Sequence, residues 1–584
     1  MEHGIKTIGR PRNVGWVRAA ALLYGDWGTS KAYVIGLGLF FAGYAALTHL
    51  LAVSVITCLI GINYIWVCKC FATGGGVYTA AKLHSPRLAV IGGLLLLADF
   101  IVTVSLSCLD AFHYFGFDHY EAKKWAILAL FMIGTLNFFG PKHTGSLAIW
   151  LAGPVVLIVL ILIVAGIPHL KDFHGRWPEG SLLHNWVLFC GMILALSGVE
   201  SAASHTGVMK LDPDSTPDKP SVRITAKKSV GVVMIEVVLG TAFLSVLAMC
   251  LQLPESELPN HKEDLLRYMG ETFVAPWFGN IVGVCFGLLL LSAVNTAISG
   301  MVSVLYVMAR DGELPWTFTQ LNRYGVPWVP LIAATIIPVI VLDIGDSVET
   351  LAHLYAIGVV GAIIIDIGSC AFGKGLPLTN TQRTIMKASA AILGLIWITI
   401  AITKLGALIF VTAVVGCGLI LREITKRHLQ APPEIALPQP SFYTNSHRGE
   451  KFLGEKILVA ARGWTPALKF ALEQARLQNA TLLVLYVREV QVHADLSSDW
   501  RQDPEAKALF ERLLNEAEGI KVMPLYGISD SPADTIVDIA ATFGVDTVIL
   551  GGSKRAALVK LLKGDVVTKV AGNLPESINL IVVG

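Results

Sequence analysis

Charge is scarce in this chain. Asp, Glu, Lys and Arg supply 15% of its 584 residues and leave a net +2, while 54% are hydrophobic and the mean hydropathy is +0.63. Soluble domains carry about 25% charged residues, so a wholly soluble globule is excluded. Without a basic surplus, a nucleic acid polymer is excluded as a partner. Nine cysteines, Cys58, Cys68, Cys70, Cys108, Cys190, Cys250, Cys285, Cys370 and Cys417, lie in or beside apolar stretches. They have neither metal-ligand spacing nor a paired framework, which leaves them as small packing residues. No catalytic constellation stands out, so neither an enzyme nor a cofactor or soft-metal centre is expected.

Apolar runs are what the chain has, up to about residue 421, and an ordinary soluble mixture follows from about residue 452. Roughly 20 apolar residues cross a bilayer. That ruler places twelve spans near 16–47, 49–70, 87–115, 124–139, 145–168, 186–205, 228–252, 277–309, 328–344, 347–372, 384–402 and 404–422. Residues 1–422 are thus read as a membrane domain, and 423–451, with Pro432, Pro433, Pro438 and Pro440, as a linker before a soluble domain over 452–584. The first span is too long, and too polar at its centre, for a cleavable signal peptide. Lys6, Arg10, Arg12 and Arg18 precede it, Lys219, Arg223, Lys227 and Lys228 lie between the sixth and seventh spans, and Arg422, Lys426 and Arg427 follow the last. The positive-inside rule then puts both termini of a multi-pass protein in the cytoplasm, and a bacterial-type plasma membrane is the expected location.

Two spans carry a carboxylate beside glycine. The first reads Tyr24-Gly25-Asp26-Trp27-Gly28-Thr29-Ser30-Lys31-Ala32-Tyr33 and the sixth Leu194-Ala195-Leu196-Ser197-Gly198-Val199-Glu200-Ser201. An ionised Asp at membrane depth costs at least ~2.5 kcal/mol, so it faces a pathway or a partner. Flanking glycines can unwind a helix and free carbonyls as ligands where a cavity is lined. Interruptions in the first and sixth spans fit two inverted repeats of five, with a site between them.

The third span supplies an oxygen stripe. At about 100° per residue, Thr103 lies about 40°, Ser107 about 80° and Asp110 about 20° from Asp99, and His113 extends the stripe outward. Tyr355 adds a phenol from the tenth span. Oxygen donors of these kinds replace the water shell of an alkali cation. A hydroxyl such as Thr103 or Ser105 alone more often bonds its own backbone, whereas Asp26, Asp99 and Glu200 favour function. Asp110, Glu236, Asp343 and Asp366 divide evenly between function and span ends.

The first-span segment resembles the Y-G-D-I-G-T-S-P-L-Y signature of the KUP potassium-uptake permeases, with Asp26 and Tyr33 seven apart as in that family. The KimA-like branch is similar elsewhere too, in Gly74-Gly75-Gly76-Val77-Tyr78, Asn295-Thr296-Ala297, Ala309-Arg310-Asp311-Gly312 and Leu354-Tyr355-Ala356. The resemblance implies a LeuT-type fold that imports potassium with protons, its ion ligands falling on Asp26, Tyr33, Asp99, Thr103, Ser107, Glu200 and Tyr355. Ser197 stands for the family's sixth-span Thr, and Phe100 for an aromatic that is Tyr in the branch. Lys31 stands where the family has Pro. It lies two residues before Tyr33, about 200° around a helix, so it is expected to face away from the site.

Coupling has an energetic reason. One charge moving down ~100 mV yields ~2.3 kcal/mol, and two yield ~4.6 kcal/mol, so scavenging favours symport with a proton. Glu200 is the expected carrier, with Asp26 beside it, while Asp110, His113 and Asp366 are candidates for the pathway. Two rivals stay open. A proton-coupled amino-acid transporter would place a substrate carboxylate against Asp26, which repels it, whereas a cationic amine or polyamine would suit Asp26 and Glu200. A span bundle that only senses, without flux, is the other.

From Lys456-Ile457-Leu458-Val459-Ala460-Ala461 to Ile578-Asn579-Leu580-Ile581-Val582-Val583, strand-like and helix-like runs alternate in a doubly wound α/β pattern. It resembles the universal stress protein fold, many members of which hold ATP with an early Asp and a G-x2-G-x9-G-S/T loop. Here Arg462 replaces the Asp, and the loop runs through Gly551, Lys554, Gly564 and Asp565. An Asp repels phosphate where a hydroxyl would cradle it, so ordinary ATP binding is not expected. Arg462, Lys554 and Arg555 leave a basic patch for another anion. The KimA-like branch implies the nucleotide second messenger cyclic di-AMP as regulator and a homodimer through this domain. A dimerisation platform without ligand is the alternative.

Overall fold

In a bilayer every backbone N–H and C=O must find its partner within the protein, and helices satisfy that demand segment by segment. The computed structural model describes residues 6–8, 12, 14–140, 145–215, 220–254, 256–345, 347–428, 455–492, 500–517, 519–552, 555 and 557–584. A short strand, β1 (Lys6–Ile8), precedes α1 (Trp16–Trp27), α2 (Ser30–Ala42), α3 (Ala46–Cys70), α4 (Gly76–Lys82), α5 (Pro86–Tyr114), α6 (His119–Phe138) and α7 (Gly145–Gly166). Next come α8 (Leu182–Gly191), α9 (Ser201–His205), α10 (Arg223–Ala248), α11 (Leu265–Phe273) and α12 (Pro276–Arg310). The membrane domain closes with α13 (Trp328–Ile344), α14 (Val348–Phe372), α15 (Asn380–Thr403) and α16 (Leu405–His428). Among the described residues, eight helical stretches are long and apolar enough to cross a membrane, and α8 and α13 are shorter apolar helices.

The centre is α5, packed against α12, α14, α4, α6, α13 and α16. Beyond its first turns it is buried on nearly every side, as an apolar helix without a polar face should be. On the periphery, α10 turns Val232, Ile235, Leu239 and Phe243 outward, a helical stripe suited to lipid tails.

The two expected interruptions differ. Gly28 and Thr29 keep right-handed dihedrals, φ −66° and −73°, and the Gly28 N–H still reaches Tyr24 O at 2.9 Å. The Thr29 and Ser30 hydroxyls donate to the carbonyls of Asp26 and Trp27. The first span is thus interrupted between Trp27 and Ser30, but without opening, because side-chain hydroxyls occupy the Asp26 and Trp27 carbonyls. The second interruption is a true break. After α8 come a 3-10 turn, Ile193–Leu196, and then Gly198 at φ +87° before α9.

The soluble domain is a parallel sheet in the order β1-β4-β3-β2-β5-β6, built from β2 (Lys456–Ala460), β3 (Thr481–Glu489), β4 (Val522–Ser529), β5 (Thr547–Gly551) and β6 (Asn579–Val583). Its helices are α17 (Pro466–Gln478), α18 (Pro504–Glu516), α19 (Pro532–Phe543), α20 (Ala557–Lys563) and α21 (Val566–Asn573). One core lies under α17 and α18, and a second under α19 and α21, the doubly wound arrangement the alternation predicts. The N-terminal strand was not foreseen. It joins the sheet edge, Lys6 opposite Leu525 and Ile8 opposite Gly527. The last helix, α16, runs six residues into the stretch read as linker, and 429–451 lie outside the described residues.

Candidate functional site

The site is set by a contact between two backbones. A Cβ on Gly198 would lie 2.5 Å from Trp27 N and 2.6 Å from the Asp26 carbonyl carbon, so the break between α8 and α9 presses directly on the end of α1. Only glycine permits both that approach and the positive φ. Asp26 and Glu200 are thereby brought to one space, with the Ser201 hydroxyl beside Asp26. The central helix supplies the next wall. Asp99 is flanked by Thr103, Glu200 and Tyr355, because Gly358, three residues after Tyr355, lets α14 close on the Asp99 backbone. Ser197 lies beside both Tyr33 and Tyr355.

Seven of the eight expected ligands, Asp26, Tyr33, Asp99, Thr103, Ser197, Glu200 and Tyr355, thus share one buried locus. Ser107 is buried on the same face of α5, one turn nearer Asp110. The Thr103 hydroxyl donates to Asp99 O at 3.0 Å. Ser105 donates to Ile101 O and Pro338 O, a structural role. Both Asp99 carboxylate oxygens, Glu200 Oε2 and the Tyr355 hydroxyl make no protein hydrogen bond although fully buried. Leaving such groups unmatched costs about 1–3 kcal/mol each. Carboxylates and hydroxyls without a protein donor can accept a proton or coordinate a hard cation.

Lys31 does not enter this locus. Its Nζ donates to Glu236 Oε2 and Oε1 on α10 at 2.8 and 3.1 Å and to the Tyr24 hydroxyl at 3.1 Å, and Tyr24 in turn donates to Glu236 at 3.0 Å. Glu236 is the partner the sequence left unassigned. Two further carboxyls, Asp110 on α5 and Asp366 on α14, are fully buried with both oxygens unmatched. Asp366 lies beside Tyr64 of α3, a neighbour no spacing indicated. Eleven residues beyond Tyr355 and on the same face of α14, it sits about 16 Å farther along the helix.

In the soluble domain, Arg462 and Arg555 do meet, on a carboxylate. Glu489 Oε2 accepts from Arg462 at 3.0 Å and from Arg555 at 2.9 Å, and Oε1 accepts from Lys563 at 2.6 Å. Burial alone would raise the Glu489 carboxyl, but Lys563, Arg555 and Arg462 outweigh it and hold it below its usual range. Lys554 lies outside the described residues. Asp565 caps the start of α21, accepting from Val567 N at 2.9 Å. Beyond Glu489 the domain meets the membrane part: Lys563 Nζ donates to Tyr324 O at 2.7 Å and Gln491 N to Gly325 O at 2.8 Å.

A bundle of membrane-crossing helices around a buried polar locus defines a membrane permease. The model of the Amino acid permease family matches residues 14–422, and the chain belongs to that family, not to a family of enzymes. Residues 455–581 match the Universal stress protein family. An uncharacterized transporter of Legionella pneumophila is 25% identical over 51% of this chain and 65% of its own length. The L-asparagine permease of Escherichia coli is 23% identical over 46% of this chain and 55% of its own. The potassium transporter KimA of Bacillus subtilis is 24% identical over 90% of this chain and 88% of its own length. The chain spans 50% to 65% of the length of the first four curated relatives it matches.

Proposed function

We propose that this protein is a secondary active transporter that imports potassium with protons through the locus of Asp26, Tyr33, Asp99, Thr103, Ser107, Ser197, Glu200 and Tyr355. One observation carries the reading: three carboxylates converge in a buried space, and Lys31, two residues before Tyr33, is committed to Glu236 on the opposite face. The near full-length likeness to a potassium transporter supports it. Glu200, in reach of both Asp26 and Asp99, is the proton carrier. Asp110 and His113 line the outer approach, and Asp366 the inner one.

The architecture fits twelve crossings in a LeuT-type five-plus-five repeat. The 55-residue stretch Trp16–Cys70 is about 80 Å of helix, enough for two crossings. The broken α8–α9 segment, α6 and α13 complete the number. With the basic flanks facing the cytoplasm, both termini and the soluble domain are cytoplasmic in a bacterial-type plasma membrane. The edge strand β6, with Ile581 36% and Val582 48% exposed, offers a surface for a homodimer. A nucleotide regulator such as cyclic di-AMP would have to displace Glu489 from Arg462 and Arg555.

The test is uptake of potassium or rubidium by proteoliposomes. Asp26→Asn abolishes it, and Glu200→Gln leaves a residual flux that no longer responds to pH. Glu200→Gln flux that matches the parent at every pH removes the proton role. Proton-coupled transport of an amino acid or polyamine is the second reading, favoured by the family match and by relatives named as L-asparagine permeases. Flux of such a solute without rubidium flux selects it, and absence of all flux selects a sensor.

A further inference from the structure

On the side of the membrane domain away from the soluble domain, two histidines six residues apart meet a glutamate from far along the chain. His113 ends α5, His119 opens α6, and Glu263 lies in the segment before α11. One ligand atom from each lies within 4.8 Å of the others. His113 Nε2 and Glu263 Oε2 are 3.2 Å apart, and the two imidazole rings stack at 5.8 Å with 17° between their planes. His113 is 7% exposed, and apart from that contact with Glu263 its Nε2 has no hydrogen-bond partner.

We propose that His113, His119 and Glu263 bind a divalent transition-metal ion of the zinc type. Two imidazoles and a carboxylate are a borderline donor set, suited to zinc, cobalt or nickel and poorly to magnesium or potassium, which take oxygen. Bonds of about 2.1 Å in a tetrahedron put ligand atoms about 3.4 Å apart. His113 and Glu263 already have that separation. His119, exposed at the start of its helix, closes the remaining gap by a small side-chain rotation. The nearby cation does not compete: Lys262 is drawn to Glu349 at 3.8 Å and to the face of Phe40.

The site reinforces parts already in contact, with Arg267 Nη1 of α11 donating to Tyr114 O of α5 at 3.5 Å. The Lys262 carbonyl oxygen lies 2.2 Å from where a Cβ of Gly36 would be, so the segment carrying Glu263 rests directly on α2. The Tyr114 hydroxyl of α5 donates to Ala32 O of the same helix at 2.7 Å. A bound ion adds a coordinate link from that segment to α5 and α6. It thereby staples this mouth in the arrangement seen.

The test loads the purified full-length protein with zinc alone and measures retention against a chromophoric chelator. Cobalt is used in parallel, its visible absorption reporting a four-coordinate nitrogen and oxygen site. About one ion per chain is expected, with affinity falling at least ~10-fold in His119→Gln and in Glu263→Gln. Exposed His184 serves as control, and His184→Gln leaves retention unchanged. No retention by the parent protein, or equal retention in the His119 and Glu263 variants, overturns the site. Zinc added from this side also slows uptake in the parent and not in those variants. Zinc bound at these residues with uptake unchanged overturns the staple. Retention is independent of what the protein carries, so it stands or falls apart from the potassium reading.

Discussion

Opposite faces of α1 and α2 hold opposite solutions to burying charge. Tyr24 and Lys31, seven residues apart, share one face and close a complete set with Glu236, every partner within 3.1 Å. Asp26 and Tyr33, also seven apart, share the other face and meet further acid groups, Asp99 and Glu200, some of whose oxygens find no donor. The first set is electrically closed and needs nothing from outside. The second is completed only by a cation or a proton. Burial alone therefore does not mark a functional carboxylate, whereas burial without a protein partner does.

The sharpest break of this contrast is Asp26→Asn, expected to lower rubidium uptake by more than ~100-fold, about 2.7 kcal/mol, while leaving membrane insertion and the unfolding temperature near the parent values. On the other face the signs reverse. Lys31→Met strands Glu236 and should cost about 3–5 kcal/mol of stability in detergent, and the double change Lys31→Met with Glu236→Met should recover most of it. A double variant no more stable than the single one would mean that the pair does more than neutralise itself. Ser197→Ala, which removes the hydroxyl between Tyr33 and Tyr355, should weaken apparent ion affinity about tenfold.

The smallest effect concerns the soluble domain. Glu489 is held below its usual range, so its contribution to the contact with Tyr324 and Gly325 is full above the unfolded carboxyl value of about 4.3 and is lost as pH falls through its lower folded value. Hydrogen exchange over 322–327 and 489–491, corrected for intrinsic rates, should lose protection below about pH 4 in the parent. In Glu489→Gln that protection should already be reduced at neutral pH and insensitive to acid.

Much of this was legible along the chain because it repeats at helical spacing. The face shared by Asp99, Thr103, Ser107 and Asp110 follows from the angle per residue, and so does the turning away of Lys31. The alternation of strand and helix after residue 455 gave the doubly wound sheet. What could not be read were meetings across long separations. Glu236 lies 205 residues from Lys31, and Glu263 lies 150 positions from His113, so no local spacing announces either. The glycines beside Asp26 suggested an opened helix, but the hydroxyls of Thr29 and Ser30 satisfy the carbonyls that unwinding would have freed. Arg462 and Arg555 suggested a bare cationic patch, because the carboxylate that closes it comes from the end of a different strand. Lys6–Ile8 was too short to show any periodicity.

That three-residue strand has a mechanical consequence. Ile8 is paired into the sheet of the soluble domain and Trp16 begins the helix that carries Asp26. Eight peptide steps, even fully extended, reach no farther than about 28 Å. The soluble domain is on a short tether, and any larger excursion must either unzip β1 from β4 or pull on the foot of the very helix that presents the carboxylate.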